Sequence, residues 1–239
     1  MLHMRTISKI YRTELVETHA LRELDLHVRE GEFVAVTGPS GSGKTTFLNI
    51  AGLLEEFTSG EYELDGESVR GLSDDARSRL RNRKIGFIFQ SFNLISDLSL
   101  FDNVDVPLRY RGMKTAERRR RIGDALERVG LASRMGHYPS ELSGGQQQRA
   151  AIARALAGSP KLLLADEPTG NLDSQMARGV LELLEELHAS GATIVMVTHD
   201  PELAARAQRN IHIVDGQATD VEALPRPGHG GLAATPSRI

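Results

Sequence analysis

The segment Gly38-Pro39-Ser40-Gly41-Ser42-Gly43-Lys44-Thr45, here called the phosphate loop, constrains the fold of this chain most. It matches the pattern G-x-x-x-x-G-K-[ST], a glycine-rich turn between a buried strand and a helix. The flanks agree, because residues 32–37 are apolar and β-branched and residues 45–50 continue as a helix. Such a turn directs backbone N–H groups and the helix dipole at one point. It predicts a nucleotide phosphate site, with Lys44 neutralising the phosphates and Thr45 ligating Mg²⁺.

Composition narrows the class of protein. The chain has 239 residues, of which 40% are hydrophobic and 26% are charged, as in ordinary globular proteins. The net charge of −3 gives no electrostatic case for a nucleic-acid partner. The absence of cysteine excludes disulfides and thiolate metal sites. No apolar run approaches the ~20 residues that span a bilayer, and the N-terminus lacks the apolar core of a signal peptide. We therefore expect a cytoplasmic chain whose membrane role, if any, comes through a partner.

Alternating segments near the N-terminus predict an antiparallel sheet. Apolar and polar residues alternate in 5–11 and in 21–28, and residues 60–66 form a short strand closed by a glycine turn. Tyr11 lies just past the first of these strands. Its ring is suited to stacking on a nucleobase or to packing at a strand end, and the sequence leaves both interpretations open.

Further apolar segments predict buried strands at 84–90, 160–167 and 192–198, and residues 210–216 predict a final strand and turn. In α/β sheets, ligands bind outside the carboxyl ends of the strands. The polar residues at three of these ends are therefore candidates for a site, namely Gln90, Asp166, Glu167 and His199.

The carboxylate pair is the strongest of these candidates. Asp166 stands at the strand tip, where it can approach Mg²⁺, and Glu167 is free to act as a base toward a water. Acidic turn residues often follow a strand without any function, but a matched phosphate loop favours the metal and water interpretation. Gln90 alone could be an ordinary strand-end amide. His199 is the one histidine of eight at such an end.

Between residues 91 and 158 the pattern changes to helix and predicts a helical subdomain inserted into the sheet domain. A helix capped by Ser73 precedes it, and helices are predicted at 100–110, where Pro107 interrupts or bends the pattern, and at 115–129. From about residue 224 onward, Pro, Gly, Ser and Ala predict a flexible tail. The domain prediction is therefore one domain over 1–223 and a tail over 224–239.

Two basic runs are predicted to be solvated faces rather than binding patches. The four arginines at 118–121 cannot share one face of a helix, which argues against a nucleic-acid surface. The other run is Arg79, Arg81, Arg83 and Lys84.

The segment Leu142-Ser143-Gly144-Gly145-Gln146-Gln147-Gln148-Arg149 predicts a second anion site. A Ser-Gly-Gly turn opens a helix, and the glycines let a ligand approach the backbone. One nucleotide does not need two separate sites of this kind in one chain. Two nucleotides shared between two chains would use both, so the sequence predicts a homodimer.

With these motifs in place, the chain resembles the nucleotide-binding subunit of ATP-binding-cassette (ABC) transporters over roughly residues 4–216. The resemblance implies a P-loop NTPase (RecA-like) α/β core with an antiparallel β subdomain and the inserted α-helical subdomain. It implies ATP and Mg²⁺ as ligands. In this family Tyr11 looks like the adenine-stacking aromatic, and the phosphate loop with Thr46 behind it looks like the Walker A motif. The residues that the resemblance places at the metal are Thr45, Gln90 and Asp166.

The resemblance also implies a mechanism. Glu167 looks like the catalytic base, His199 looks like the switch histidine that contacts the γ-phosphate together with Lys44, and Asp173 matches the loop that crosses the dimer interface. The residues that would bind the γ-phosphate held by the other subunit are Ser143, Gly144 and Gly145, with Gln146 completing the signature. No position departs from the family pattern, so we expect active hydrolysis.

Further segments of the sequence indicate a particular branch of this family. Three segments look like the macrolide-efflux and lipoprotein-release (MacB/LolD-like) branch, namely Phe89-Gln90-Ser91-Phe92-Asn93-Leu94, residues 142–149 and residues 164–173. Members of that branch drive membrane permeases with a large periplasmic domain, from the inner face of the cell membrane. Two alternatives stay open: a subunit that transmits force through a membrane partner without transport, and a soluble ABC ATPase acting on ribosomes or DNA. The sequence does not name the cargo.

Overall fold

The computed structural model describes residues 1–13 and 16–221, and the tail predicted at 224–239 lies outside them. Within the described residues the chain forms ten strands and seven α-helices. The strands are β1 (Leu2–Arg12), β2 (Glu17–Val28), β3 (Phe33–Thr37), β4 (Ser59–Leu64), β5 (Glu67–Ser68), β6 (Ile85–Ile88), β7 (Leu162–Asp166), β8 (Thr193–Val197), β9 (Arg209–Val214) and β10 (Gln217–Val221). The helices are α1 (Lys44–Ala51), α2 (Asp74–Lys84), α3 (Leu100–Tyr110), α4 (Thr115–Arg128), α5 (Gly144–Leu156), α6 (Ser174–Ala189) and α7 (Pro201–Ala204). Short 3₁₀ helices lie at Ala132–Arg134 and Pro139–Glu141.

The strands make two sheets. An antiparallel sheet has the order β2-β1-β4-β5, and a six-stranded sheet has the order β10-β9-β3-β8-β7-β6. In the larger sheet, β9, β3, β8, β7 and β6 are parallel and only the edge strand β10 runs antiparallel. This is the predicted fold class, a parallel α/β core with an antiparallel β subdomain and a helical insertion.

Successive residues of the central strands alternate between two hydrophobic cores, because side chains of a strand point to opposite faces. Val34 and Val36 of β3 pack with α1 and the antiparallel sheet. Ala35 of the same strand packs with the helices α3 to α6. The large sheet is therefore covered on both faces, as a parallel sheet requires.

Two Asp-Gly turns close hairpins that the sequence prediction did not complete. Asp65 and Gly66 have φ of 51° and 77° and join β4 to β5, and Asp215 and Gly216 have φ of 50° and 79° and join β9 to β10. Two consecutive residues with positive φ form the turn type that matches strand twist, which favours Asp-Gly. The returning strands β5 and β10 were missed because they lack a clear apolar pattern.

The prediction of a solvated arginine run does not hold for Arg118. Arg119 and Arg120 are exposed, but Arg118 Nε lies 2.8 Å from Asp105 Oδ1, a carboxylate that is 2% exposed on α3. Removing either partner of such a buried pair is costly. The ion pair ties α4 to α3, and the sequence could not reveal it because the aspartate lies on another helix.

The second basic run is also only partly solvated. Arg79 and Arg83 are exposed, whereas Arg81 is half-buried and donates from Nη1 to the carbonyl of Leu53 at 2.6 Å. Lys84 forms an ion pair with Asp65 at 2.6 Å. Within the described residues, no helix is both long and apolar enough to cross a membrane.

Candidate active site

The phosphate loop leads from β3 into α1. Gly43 is the N-cap of α1 in a left-handed conformation, with φ of 107°, and no side chain caps this helix. The first N–H groups of a helix have no partner within it, so an uncapped N-terminus offers donors to an anion. Lys44 Nζ donates to the carbonyls of Gly38 and Pro39, both at 2.8 Å, which holds the ammonium group over the loop.

Gly38 and Gly43 of the loop are required by space as well as by conformation. A Cβ on Gly43 would lie 2.4 Å from the carbonyl oxygen of Ala20, and a Cβ on Gly38 would lie 2.1 Å from that of Ile213. The hydroxyl of Ser42 is buried and has no hydrogen-bond partner among the described residues. A buried polar group without a partner is costly, and a phosphate oxygen is a suitable acceptor for it. The loop is thus shaped for an anion.

Tyr11 lies beside the helix that follows the loop. The structure places it within β1 rather than just past it, and the residue is 40% exposed. Burial raises the pKa of Tyr11, a hydrogen bond with Thr46 lowers it, and Glu55 raises it again. Its hydroxyl donates to Glu55 Oε2 at 2.8 Å, and Lys9 Nζ lies 4.9 Å from the ring centroid. Tyr11 is therefore brought to the first turn of α1.

The two acidic residues lie at the carboxyl end of β7, as predicted. Asp166 is half-buried, and burial raises its pKa, as does the neighbouring charge of Glu167, whereas Lys44 lowers it. Because the charge of Lys44 acts on Asp166, the phosphate loop and the acidic pair lie close together. The backbone of Glu167 has φ of 41°, a conformation that strains a residue with a side chain and that clusters at functional sites.

His199 meets Glu167 directly. His199 Nδ1 lies 2.8 Å from Glu167 Oε1, and the imidazole is 70% exposed while the carboxylate is 22% exposed. The backbone N–H of Glu167 donates to the carbonyl of Val197 at 2.9 Å, which joins the ends of β7 and β8. The carboxylate and the imidazole are thus held together at the sheet edge.

The donor set fits Mg²⁺. Thr45 follows Lys44 in α1, and Asp166 carries a negative charge that its surroundings disfavour, which a cation would relieve. Among the described residues, no group of three or more His, Cys, Asp or Glu side chains is gathered to hold a metal. Mg²⁺ does not require one, because it is usually held by one or two carboxylates, waters and substrate phosphates.

Gln90 lies just beyond β6, facing the turn that follows Glu167. Its Nε2 donates to Asn171 Oδ1 at 3.2 Å, and Asn171 Nδ2 donates to the carbonyl of Gln90 at 3.1 Å. A Cβ on Gly170 would lie 2.7 Å from Gln90 Nε2, so glycine makes room for this amide. The sequence analysis gave no role to Asn171, because its two hydrogen bonds with Gln90 join residues 81 positions apart.

The second anion turn, here called the signature turn (Ser143, Gly144 and Gly145), opens α5. The Ser143 hydroxyl accepts from the N–H of Gln146, whose side chain accepts from the N–H of Ser143, a reciprocal capping box. The N–H of Gly145 donates to Met176 Sδ at 3.3 Å. This turn is therefore internally satisfied, in contrast to the phosphate loop.

Asp173 caps the next helix. Its carboxylate accepts from the N–H groups of Gln175 at 3.0 Å and Met176 at 2.9 Å at the start of α6. The side chain is exposed and begins the helix that touches the signature turn. Among the predicted residues, the structure brings together Lys44, Asp166, Glu167 and His199, and it leaves the signature turn against α6.

Comparison with known proteins shows which family the chain belongs to. Residues 21–170 match the family described as ABC transporter. The chain is 48% identical to the uncharacterized ABC transporter ATP-binding protein YvrO of Bacillus subtilis (strain 168), over 91% of this chain and 95% of that protein. It is 48% identical to the macrolide export ATP-binding/permease protein MacB 1/2 of Paracoccus denitrificans (strain Pd 1222), over 91% of this chain but only 32% of that protein. The chain thus spans about a third of the length of this fused relative.

A solved structure shares the whole architecture. The dimeric post-hydrolysis structure of the ATP-binding cassette MJ0796 bound to ADP and Pi superposes with a TM-score of 0.85 and 41% identity, over 94% of this chain and 100% of that one. The fold, the motifs and these similarities agree, and the chain belongs to the ABC transporter family as an ATP-binding cassette.

Proposed function

We propose that this chain is the ATP-hydrolysing subunit of a MacB-type exporter, acting with a membrane permease that has a large periplasmic domain. The fused export ATP-binding/permease relatives support this, because their ATP-binding part matches this chain at 46% and 48% identity. In this proposal the chain sits at the cytoplasmic face of the membrane, and the permease carries the cargo contacts.

One observation carries the proposed dimer. The phosphate loop is packed against the backbone of β2 and β9, at Ala20 and Ile213, whereas the signature turn is packed against Leu172 and Met176. Among the described contacts, none joins the two turns. Each turn opens a helix at its N-terminus, where an anion can bind, so two chains arranged head to tail would place both turns around each ATP.

The proposed roles follow the positions of the side chains. Tyr11 stacks on adenine, the phosphate loop with Thr46 holds the phosphates, and Asp173 reaches the partner chain. The γ-phosphate also meets the partner's Ser143, Gly144, Gly145 and Gln146. Thr45, Asp166 and Gln90 would hold Mg²⁺, which supplies neutralisation of the phosphate charge when bound.

The proposed reaction is an in-line attack of water on the γ-phosphorus. Glu167 accepts a hydrogen bond from the attacking water, and His199, 2.8 Å from that carboxylate, holds it in place and contacts the γ-phosphate. The bond to the β-phosphate oxygen breaks, the water proton ends on the released phosphate, and ADP leaves. Lys44 and the two helix N-termini stabilise the charge of the transition state.

We treat residues 1–223 as one ATPase domain, with 91–158 as its helical insertion. This is supported by the shared hydrophobic core of α3 to α6 and one face of the large sheet. A common core lets movement of the insertion reach the sheet edge, where Gln90 lies. The permease would receive its motion from this side.

The Glu167→Gln variant tests the scheme. It should bind ATP normally, lose turnover by about 100-fold or more because the base is removed, and accumulate as an ATP-bound dimer in size-exclusion chromatography with light scattering. Wild-type turnover from a variant that stays monomeric with ATP would contradict the scheme.

The same variant tests the partner. Purified with a tag from gently solubilised membranes in MgATP, it should bring down a membrane protein with a large periplasmic domain. Recovery of ribosomes or nucleic acid, from a variant that still dimerises, would keep the ATPase chemistry and refute the exporter assignment.

A further inference from the structure

A buried glutamine links the two halves of the candidate site within one chain. Gln148 lies one turn into α5, is fully buried, and donates from Nε2 to the carbonyl of Pro168 at 2.5 Å. Pro168 is the residue after Glu167. Since Gln148 belongs to the helix that the signature turn opens, this one bond joins the signature helix to the peptide next to the proposed base.

The turn that receives this bond is stiff. The N–H of Gly170 donates to the carbonyl of Glu167 at 3.0 Å, and the N–H of Leu172 donates to that of Thr169 at 3.0 Å. Proline fixes φ at position 168. A displacement of the Pro168 carbonyl is therefore passed to Glu167 rather than absorbed between them.

A second contact lies at the other end of the same segment. Met176 Sδ accepts the N–H of Gly145, and a Cβ on Gly145 would lie 3.1 Å from the Cβ of Met176. Leu172 packs on Gly144, where a Cβ would lie 3.3 Å from its Cδ2. The segment from Glu167 to Met176 is thus held to the signature helix at both of its ends.

We propose that Gln148 and Met176 are positioning residues that make the two ATP sites of the dimer interdependent, which rests on the proposed function. The signature turn of one chain contacts the ATP held by its partner, whereas Glu167 of that chain acts on its own ATP. Engagement of the partner's γ-phosphate would release the N–H of Gly145 from Met176 and shift α5, and the bond from Gln148 would carry that shift to Glu167. ATP at one site would then align the base at the other.

The neighbouring glutamine provides a matched control. Gln147 is also on α5, but its Nε2 donates to the carbonyl of Leu142, within its own turn. Gln147→Met and Gln148→Met each remove one amide with little change of volume. Only the second removes a bond between the signature helix and the segment that follows Glu167.

The experiment compares both variants of the full chain with wild type. Steady-state turnover gives kcat and the Hill coefficient for ATP, calorimetric titration gives the affinity for ATP, and light scattering in a Glu167→Gln background gives dimerisation. For Gln148→Met we expect unchanged ATP affinity and dimerisation, a kcat lower by about tenfold because the base is misplaced, and a Hill coefficient that falls from near 2 toward 1. Gln147→Met should match wild type in all four.

Met176→Leu keeps the test decisive if Gln148→Met unfolds. It removes the sulfur acceptor but keeps the packing, and it should lower kcat and the Hill coefficient in the same direction by a smaller factor, with Met135→Leu as its control.

A cooperative wild type with equally cooperative Gln148→Met and Met176→Leu variants would overturn the proposal and leave the proposed function intact. A wild type that neither dimerises with ATP nor hydrolyses it would refute the proposed function itself.

Discussion

The two anion turns of this chain use glycine and the helix N-terminus in different ways. In the phosphate loop, Gly43 takes a left-handed conformation and leaves the start of α1 without a side-chain cap. In the signature turn, Ser143 caps α5 with ordinary extended backbone, and Gly145 already donates its N–H to Met176. One turn is open to an anion, and the other is satisfied by its own chain.

The difference indicates an order of events. A phosphate can bind at the open N–H groups of the phosphate loop without displacing a protein ligand. Binding at the signature turn has to exchange the contacts made by Ser143 and Met176 for contacts with the γ-phosphate. The first step then needs one chain, and the second needs the partner and a rearrangement within α5 and α6.

Glycine substitutions should separate the two steps, with the largest effect at the phosphate loop. Gly43→Ala places a Cβ 2.4 Å from a backbone carbonyl at φ of 107°. We expect the free energy of unfolding to fall by roughly 3 kcal/mol and ATP binding to be lost. Gly145→Ala places a Cβ 3.1 Å from the Cβ and Cγ of Met176, a tight contact with a side chain rather than a clash with the backbone. It should keep ATP binding and lose the ATP-bound dimer, as measured by calorimetric titration and light scattering.

Gly123→Ala in α4 is the control for both, since no atom lies within 4 Å of the added methyl group. It should be stable and bind ATP normally. If Gly145→Ala lost ATP binding as completely as Gly43→Ala, the two turns would not act in separate steps.

A smaller effect on stability should appear at Asp166, whose ionised carboxylate lies in surroundings that disfavour its charge. Burial and Glu167 raise the pKa of Asp166 in the folded state, so the ionised carboxylate costs stability above that pKa. Without nucleotide or Mg²⁺, Asp166→Asn should raise Tm at pH 7.5 by roughly 1–3 °C. This gain in Tm should vanish below the ordinary aspartate pKa of about 4, because the aspartate of the wild type is then as neutral as the asparagine of the variant. Asp97→Asn, at an exposed position, should leave Tm unchanged at both pH values. A lower Tm for Asp166→Asn at neutral pH would contradict the claim that ionised Asp166 costs stability.

Much of the fold follows from local sequence. The buried strands β3, β7 and β8 are short apolar runs, and their polar tips predicted Asp166, Glu167 and His199 at one sheet edge. These features depend on periodicity and on the rule that parallel strands end together. The role of Tyr11 in stacking and the ligands of Mg²⁺ stay predictions.

The sequence could not predict contacts between distant segments. Asn171 exchanges hydrogen bonds with Gln90, Gln148 reaches Pro168, and Asp105 is buried beneath Arg118. Each depends on how helices pack, and none has a local pattern. The Asp-Gly turns before β5 and β10 do indicate hairpins. The sequence prediction included these turns but not the strands that follow them.

The central claim is that the phosphate loop of one chain meets the signature turn of another, and the absence of native cysteine makes it directly testable. We would place Ser40→Cys in one preparation of Glu167→Gln and Glu141→Cys in another, since both positions are exposed. The two are then mixed with a short bis-maleimide cross-linker, with and without MgATP. The account predicts ATP-dependent cross-links between the two preparations and few within either one. Cross-links that join Ser40→Cys to itself, or that form equally without ATP, would contradict a head-to-tail dimer closed on ATP.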